Sequence, residues 1–488
     1  MYKLNKDILY LIFQELRNDK ETLISSLTVN KNWCETIIPI LWKNPWKYLE
    51  RKELLLNVII SHLSDESRNN LSSQEINILT KYQKPFFNYI SLCRHLNFNE
   101  LIELIKTICK DDSVILIVEK EITYLFINKD TRFTHLYIPY QFNYQIQLIP
   151  GAKYCFSELE FLSCNTCIND DILFGLTELC KPIKELELII GEDNNNYRII
   201  KLVESSKKLF NVSLLTKGYL KTDEQFCKIL EKSLIKHADT IQNFKMIKQP
   251  TTKILSSFNN LVTLELGDNA IEIMTWNYLE KVSLPSLQIL KARGIPIKSL
   301  TSLIETTNRN LIEVNIDCVL HKEVDNERII QIIYKNCPNL EYLKLVVRNC
   351  NILEFKNLLT NCQYLNGLYI IVDNTIFWSD SDQIFNWDYL FEILVSSSPT
   401  NLFKFKFHFF EAPKSESLKL FLDNWKGKSS MLLQTIQDSN WGVYNGLKYY
   451  EIVGEYITQG IVKKYHHHNH YLDESYNFED FEWVQENS

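Results

Sequence analysis

Over the first 45 or so residues, apolar positions recur at helical spacing. Asn5 precedes a run with Ile8, Leu9, Ile12, Phe13 and Leu16 on one stripe, and its side-chain oxygen is placed to cap that helix. A second, shorter run carries Leu23, Ile24 and Leu27. In the third, VNKNWCETIIPILW, Trp33, Ile37 and Leu41 advance by steps of four, which sets them on one helical face. Three helices this short enclose too little core to bury all their apolar surface, so the pattern predicts that another protein covers the stripe of Ile8, Leu9, Ile12 and Phe13. Residues 47–130 continue the helical pattern and read as a linker region.

From about residue 131 the period changes. The template L-x-x-L-x-L is met by FSELEF at 156, IKELEL at 183, LVTLEL at 261, LIEVNI at 311, LEYLKL at 340, LNGLYI at 365 and LFKFKF at 402. Weaker copies are LFNVSL at 209, IQNFKM at 241 and LQILKA at 287, with an irregular first copy, FTHLYI, at 133. Copies start about 27 residues apart on average, within the range of leucine-rich repeats. Helical stretches such as FCKILEKSLIKH, LTSLIETT, ERIIQIIYKN and FKNLLTN fall between them. One strand and one helix cannot bury a hydrophobic face alone, so neighbours must stack. The expected fold is α/β: a solenoid over 131–437 with a parallel sheet on its concave face and helices outside. A doubly wound nucleotide-binding sheet is disfavoured, since glycine-rich phosphate loops are absent and the chain has only 12 glycines.

Two resemblances sharpen this. Leu4, Ile8, Leu9, Ile12, Phe13, Leu16, Asp19, Leu23, Val29, Lys31, Trp33, Leu41 and Trp42 fall where an F-box has its characteristic residues, so residues 1–46 resemble an F-box, with Leu4-Asn5 standing where F-boxes usually begin Leu-Pro. The stretch from Phe156 to Ile183 resembles the cysteine-containing leucine-rich repeat, through Leu159, Phe161, Cys164, Ile168, Asn169, Asp170, Leu173, Leu176 and Cys180 in order. The resemblance implies a substrate receptor of an SCF-type ubiquitin ligase, without catalysis of its own or a cofactor. Its F-box would dock on the adaptor subunit, and through it on the cullin scaffold, by Leu4, Ile8, Leu9, Ile12, Phe13, Leu16, Trp33, Leu41 and Trp42. Its repeats would hold an unknown protein target. A leucine-rich-repeat scaffold or ligand sensor without ligase function is the alternative.

If the template holds, the concave face carries Glu158, Glu160, Glu185, Glu187, Lys291, Arg293, Glu313, Asp317, Lys344, Lys404 and Lys406 as candidate target-binding residues, acidic early and mixed later. Basic segments would be steered to the first repeats, whereas a phosphorylated segment would need the later Lys and Arg.

Charge and cysteines narrow the setting. The net charge of −7 disfavours a wholesale nucleic-acid binder, no run reaches the roughly 18 to 20 apolar residues of a membrane span, and MYKLNKDILYLIFQEL does not read as a secretory signal. The expected location is therefore cytoplasmic or nuclear, with all 12 cysteines as free thiols. Cys180, Cys337 and Cys362 each lie three residues before a repeat's first apolar position, which points to a small buried slot. Metal binding is not expected: the Cys164–Cys167 pair has no second pair, and His466, His467, His468 and His470 read as a solvated loop within a cap and acidic-aromatic tail over 438–488. The insertion from Asp373 to Asp388 falls where repeat proteins often bind. Hydrolase, kinase and phosphate-loop motifs are absent.

Overall fold

The computed structural model describes residues 5–470 apart from 48–51, 75, 77–84, 141, 180–181, 217–222, 268–275, 318–322, 373–383 and 439–445. The chain divides into two compact units, Met1–Thr240 and Ile241–Ser488.

The first unit opens with α1 (Lys6–Glu15), α2 (Lys20–Ser26) and α3 (Lys31–Leu41), capped by the side chains of Asn5, Asp19 and Asn30. Each such cap is worth about 1 kcal/mol. Leu9, Phe13, Leu23 and Ile37 form the core of this helix group, and Leu16, Leu27, Trp33, Ile40 and Leu41 pack against it. Phe13 meets Trp33 edge-on at 5.1 Å. Two tryptophans fasten the group to the next part of the chain. Trp42 lies 4.5 Å from the ring of Tyr89, and buried Trp46 donates its indole N–H to the carbonyl of His95 at 2.6 Å.

Further helices come next: α4 (Lys52–Ser61), α5 (Asp65–Ser73), α6 (Tyr89–Leu92), α7 (Phe98–Ile108) and α8 (Asp112–Phe126). The strands of this unit are β1 (His95–Asn97), β2 (His135–Tyr137), β3 (Phe161–Asn165), β4 (Glu185–Ile190) and β5 (Asn211–Thr216). They pair in parallel, each with the next in chain order. The stretch expected to be a purely helical linker thus contains β1, one strand earlier than the template detected.

The second unit repeats the plan with β6 (Asn243–Met246), β7 (Thr263–Gly267), β8 (Ile289–Arg293), β9 (Glu313–Asp317), β10 (Tyr342–Val347), β11 (Gly367–Val372), β12 (Lys404–Phe409), β13 (Met431–Asp438) and β14 (Val462–His470). These too are parallel and in chain order, the arrangement a solenoid requires. Helices Ile297–Thr306, Glu323–Asn336, Ile352–Asn361, Trp387–Ser397 and Ser415–Asn424 fill the crossovers, and each packs on the next.

The template explains the register. In LEYLKL, Leu340, Leu343 and Leu345 are all buried, as are Leu261, Leu264 and Leu266 in LVTLEL. Phe405 and Phe407 of β12 meet helix rings of Phe421 and Phe391 on this inner side. Before each strand one carbonyl accepts two successive N–H groups from the next repeat: Gln288 from Ile312 and Glu313, Ile312 from Glu341 and Tyr342, Glu341 from Asn366 and Gly367. This shared acceptor satisfies the backbone where the chain turns into the sheet.

Three expectations are corrected. FSELEF is out of frame by three residues, because Phe156 ends a short helix and the strand slots are Leu159, Leu162 and Cys164. The sheet does not stop at 437, since β14 lies beyond it. The histidine cluster is therefore a strand and no loop. Tyr465 and His467 face inward, with His467 Nδ1 2.8 Å from Thr435 Oγ1, while His466 and His468 stack on the other face at 4.3 Å.

The ten described cysteines carry no disulfide. Cys337 and Cys362 are fully buried, with the Cys362 thiol 3.8 Å from the Cys337 carbonyl, and burial pushes the Cys362 thiol up to about 12. Cys180, Leu4 and the insertion between 373 and 383 lie outside the described residues. No described helix is long and apolar enough to cross a membrane.

Candidate functional site

The outer face of α1 is an exposed apolar surface of the helix group. Ile8 is 47% exposed, Leu11 64% and Ile12 43%, a set at steps of three and four on one side of the helix. Leu9 and Phe13, expected on the docking surface, point the other way and are buried in the core with Leu23 and Ile37. The stripe of five apolar residues is wide enough to span both edges of the helix, and the core takes the edge carrying Leu9 and Phe13. Leu16, Trp33 and Leu41 are half-buried against that core, and Trp42 against Tyr89. Of the eight expected docking residues that are described, Ile8 and Ile12 remain outward; Leu11, not anticipated, joins them.

In the first unit the face of the sheet away from the buried leucines carries His95, His135, Tyr137, Phe161, Glu185 and Glu187 at alternating strand positions. His95 and His135 stack at 3.8 Å, and Phe161 continues the stack 5.2 Å from His135. Burial, His135 and Lys43 hold His95 down at about 3, and burial also lowers His135, so both rings are neutral near pH 7. Glu187 accepts a hydrogen bond from Ser163 Oγ at 2.7 Å. Glu160 lies just before β3, ion-paired with Lys184. Glu158 sits in the turn and is not on the sheet, a consequence of the frame error in FSELEF.

In the second unit the same face is a charged network. Lys245 and Lys291 both approach Glu265, at 3.4 and 3.6 Å. Arg293 grips Asp317 with a two-pronged contact at 3.0 and 3.1 Å, and Lys344 reaches the same carboxylate at 2.6 Å. Burial favours the protonated form of Asp317, but Lys344 and Arg293 outweigh it and hold the carboxyl well below its usual range. The ammonium of Lys344 lies 4.5 Å from the centre of the Tyr369 ring, that of Lys406 4.6 Å from the same ring, and Tyr369 Oη is 3.4 Å from His408 Nδ1. Glu313 accepts from Asn315 Nδ2 at 2.8 Å. Lys404 points its ammonium at Tyr342 Oη, 3.3 Å away. Gly367 lies between those two residues, and a Cβ there would come within 2.9 Å of the Tyr342 ring.

Glu185, Glu187, Lys291, Arg293, Glu313, Asp317, Lys344, Lys404 and Lys406 thus all lie on the sheet face turned away from the buried leucines. Glu313, Asp317, Lys344, Lys404 and Lys406 are buried there by their lateral neighbours. Those neighbours include Tyr342, Tyr369 and His408, which a search of the strands for charged residues passes over. Among the described residues no group of three or more His, Cys, Asp or Glu side chains is placed to hold a metal ion.

Compared with known proteins, the chain matches no family model and no curated protein.

Proposed function

We propose that this chain is the substrate-receiving subunit of an SCF-type ubiquitin ligase. The α1–α3 group docks as an F-box on the adaptor subunit, and the strand-helix repeats, of the leucine-rich type, hold a protein target. The chain performs no bond chemistry itself: it raises the effective concentration of a target lysine beside a charged conjugating enzyme. The observation that carries this reading is the outward row of Ile8, Leu11 and Ile12 on a helix whose opposite edge is already committed to a core. The sequential parallel repeats support the second half, since such arrays present long rows of side chains to a partner.

Replacing Ile8, Leu11 and Ile12 together with Ala tests it. Full burial of such side chains contributes about 1.5 to 3 kcal/mol each, and roughly half of each is exposed in the free chain, so adaptor binding should weaken by about a hundredfold or more. The fold should persist, because none of the three belongs to the core. Affinity purification of the natural chain should recover adaptor and cullin, and the triple variant should lose both. Recovery of neither by the natural chain would favour a repeat scaffold or ligand sensor instead.

A further inference from the structure

On the sheet face of the first unit that turns away from the buried leucines, Glu185 and Glu187 stand two positions apart on β4, both half-exposed. The second unit shows how this fold keeps a carboxylate on such a face: Glu265 has Lys245 and Lys291 on the flanking strands, and Asp317 has Arg293 and Lys344. Glu185 and Glu187 have no such arrangement. Phe161 and Asn211 flank Glu185 laterally, Ser163 and Ser213 flank Glu187, and no strand position on this face of β1–β5 carries Lys or Arg. Glu187 accepts one hydrogen bond, from Ser163, while Glu185 has neither a hydrogen bond nor an ion pair among the described residues. Of the cations nearby, Lys184 is engaged by Glu160; the charge of Lys43 is felt at His95 and His135, but it is ion-paired with neither glutamate.

Beside these carboxylates lie aromatic rings. Tyr137 and Phe161 meet at 5.0 Å, and Phe161 is the direct lateral neighbour of Glu185. Burial first, and then the charges of Glu187 and Glu185, push the Tyr137 hydroxyl up to about 12, so both carboxylates lie within its electrostatic reach. It hydrogen-bonds to neither of them. Half-exposed rings next to two carboxylates suit a flat, delocalised cation: a guanidinium offers five N–H donors in a rigid fork and stacks on rings, whereas an ammonium is a compact, strongly hydrated point charge.

We propose that this face of β2–β4 docks a segment of a partner protein through an arginine, its guanidinium laid against Tyr137 and Phe161 and bonded to Glu185 and Glu187. That the partner is the ligase target rests on the receptor reading above; the arginine site does not. The incoming guanidinium supplies the counter-charge that flanking strands supply in the second unit. His95 and His135, neutral near pH 7, do not compete for the carboxylates.

The test titrates the full chain with a glycine-flanked arginine peptide and with its citrulline and lysine twins, read by ligand-observed NMR, which reaches millimolar affinities. Citrulline keeps the shape of arginine and removes its charge. The arginine peptide should bind about tenfold or more tightly than the citrulline twin, and more tightly than the lysine twin. Glu185→Gln combined with Glu187→Gln should bring the arginine peptide down to the citrulline level and keep the unfolding midpoint, since glutamine retains the shape and an oxygen for Ser163. Phe161→Leu should erase the preference for arginine over lysine. An arginine peptide bound no better than its citrulline twin, or a preference that survives in the double glutamine variant, overturns the site. Lysine bound as well as arginine by the natural chain overturns the arginine assignment. The comparison of peptides on the natural chain stands whether or not a variant folds. Adaptor binding enters none of these measurements, so failure here is distinct from failure of the F-box reading, which the triple alanine variant reports.

Discussion

The open faces of the two units use the same backbone to different ends. In the first, neutral histidines stack and carboxylates lean on hydroxyls, with Glu185 and Glu187 still half-exposed. In the second, lysines, an arginine and aspartate interlock with tyrosine rings and are nearly shut off from water. Strand positions that face the helices must be apolar to build the core; those facing away escape that demand and can hold any chemistry the lateral neighbours tolerate. The difference between the units therefore lies in side-chain pairing across strands, and it sets how each responds to lost partners and to acid.

The largest separation should come from Asp317→Ala. It removes the carboxylate that holds both partly buried Arg293 and buried Lys344 and should destabilise the second unit by about 3 to 5 kcal/mol, read by urea denaturation. A loss under about 1 kcal/mol would mean that the network is no tighter than a surface pair.

Acid should then part the two faces in a defined order. His95 titrates far below the usual histidine value, so the fold prefers it neutral: that contribution is complete above about pH 6.5 and is lost as pH falls towards 3. Asp317 is held below its usual range, so its contribution is complete above about pH 4 and is lost only below that. Between pH 6.5 and 4, amides of β1 and β2 should exchange hydrogen faster, after correction for intrinsic rates, by about 2 kcal/mol of protection, while those of β9 and β10 hold. His95→Gln should abolish the difference. The smallest effect belongs to Ser163→Ala, which removes one hydrogen bond from half-exposed Glu187 and should cost about 0.5 to 1 kcal/mol in the same denaturation assay.

Legibility in the sequence obeys the same division. Inner positions had to be apolar, so L-x-x-L-x-L located every strand from β4 to β12. β14 eluded it because its inner slots are Val462, Tyr465 and His467, two of them polar-tipped, with Thr435 there to satisfy the imidazole. The frame slip at FSELEF arose because apolar residues at 156, 159, 161, 162 and 164 fit two frames three apart, and spacing alone does not choose between them. In α1 the ambiguity was angular. Neighbouring residues Ile8 and Leu9, or Ile12 and Phe13, lie about 100° apart, and only the packing of Leu23 and Ile37 decides which of each pair turns inward. On the open face the charged residues were legible by type, but their pairing was not, because Arg293, Asp317 and Lys344 come from three repeats.

Because every strand within a unit pairs with its successor, Asn243 with Thr263 at the short end and His95 with His135 at the long end, the contacts that build the sheet span only about 20 to 40 residues of chain. A polypeptide leaving the ribosome can therefore complete each layer soon after its residues emerge, without waiting for a distant segment to be made. At every moment of synthesis the growing edge is a bare parallel strand, ready to template its successor and equally ready to pair with a stranger. The alternation of lysines, glutamates and histidines along these strands guards that edge while the next turn is still inside the tunnel.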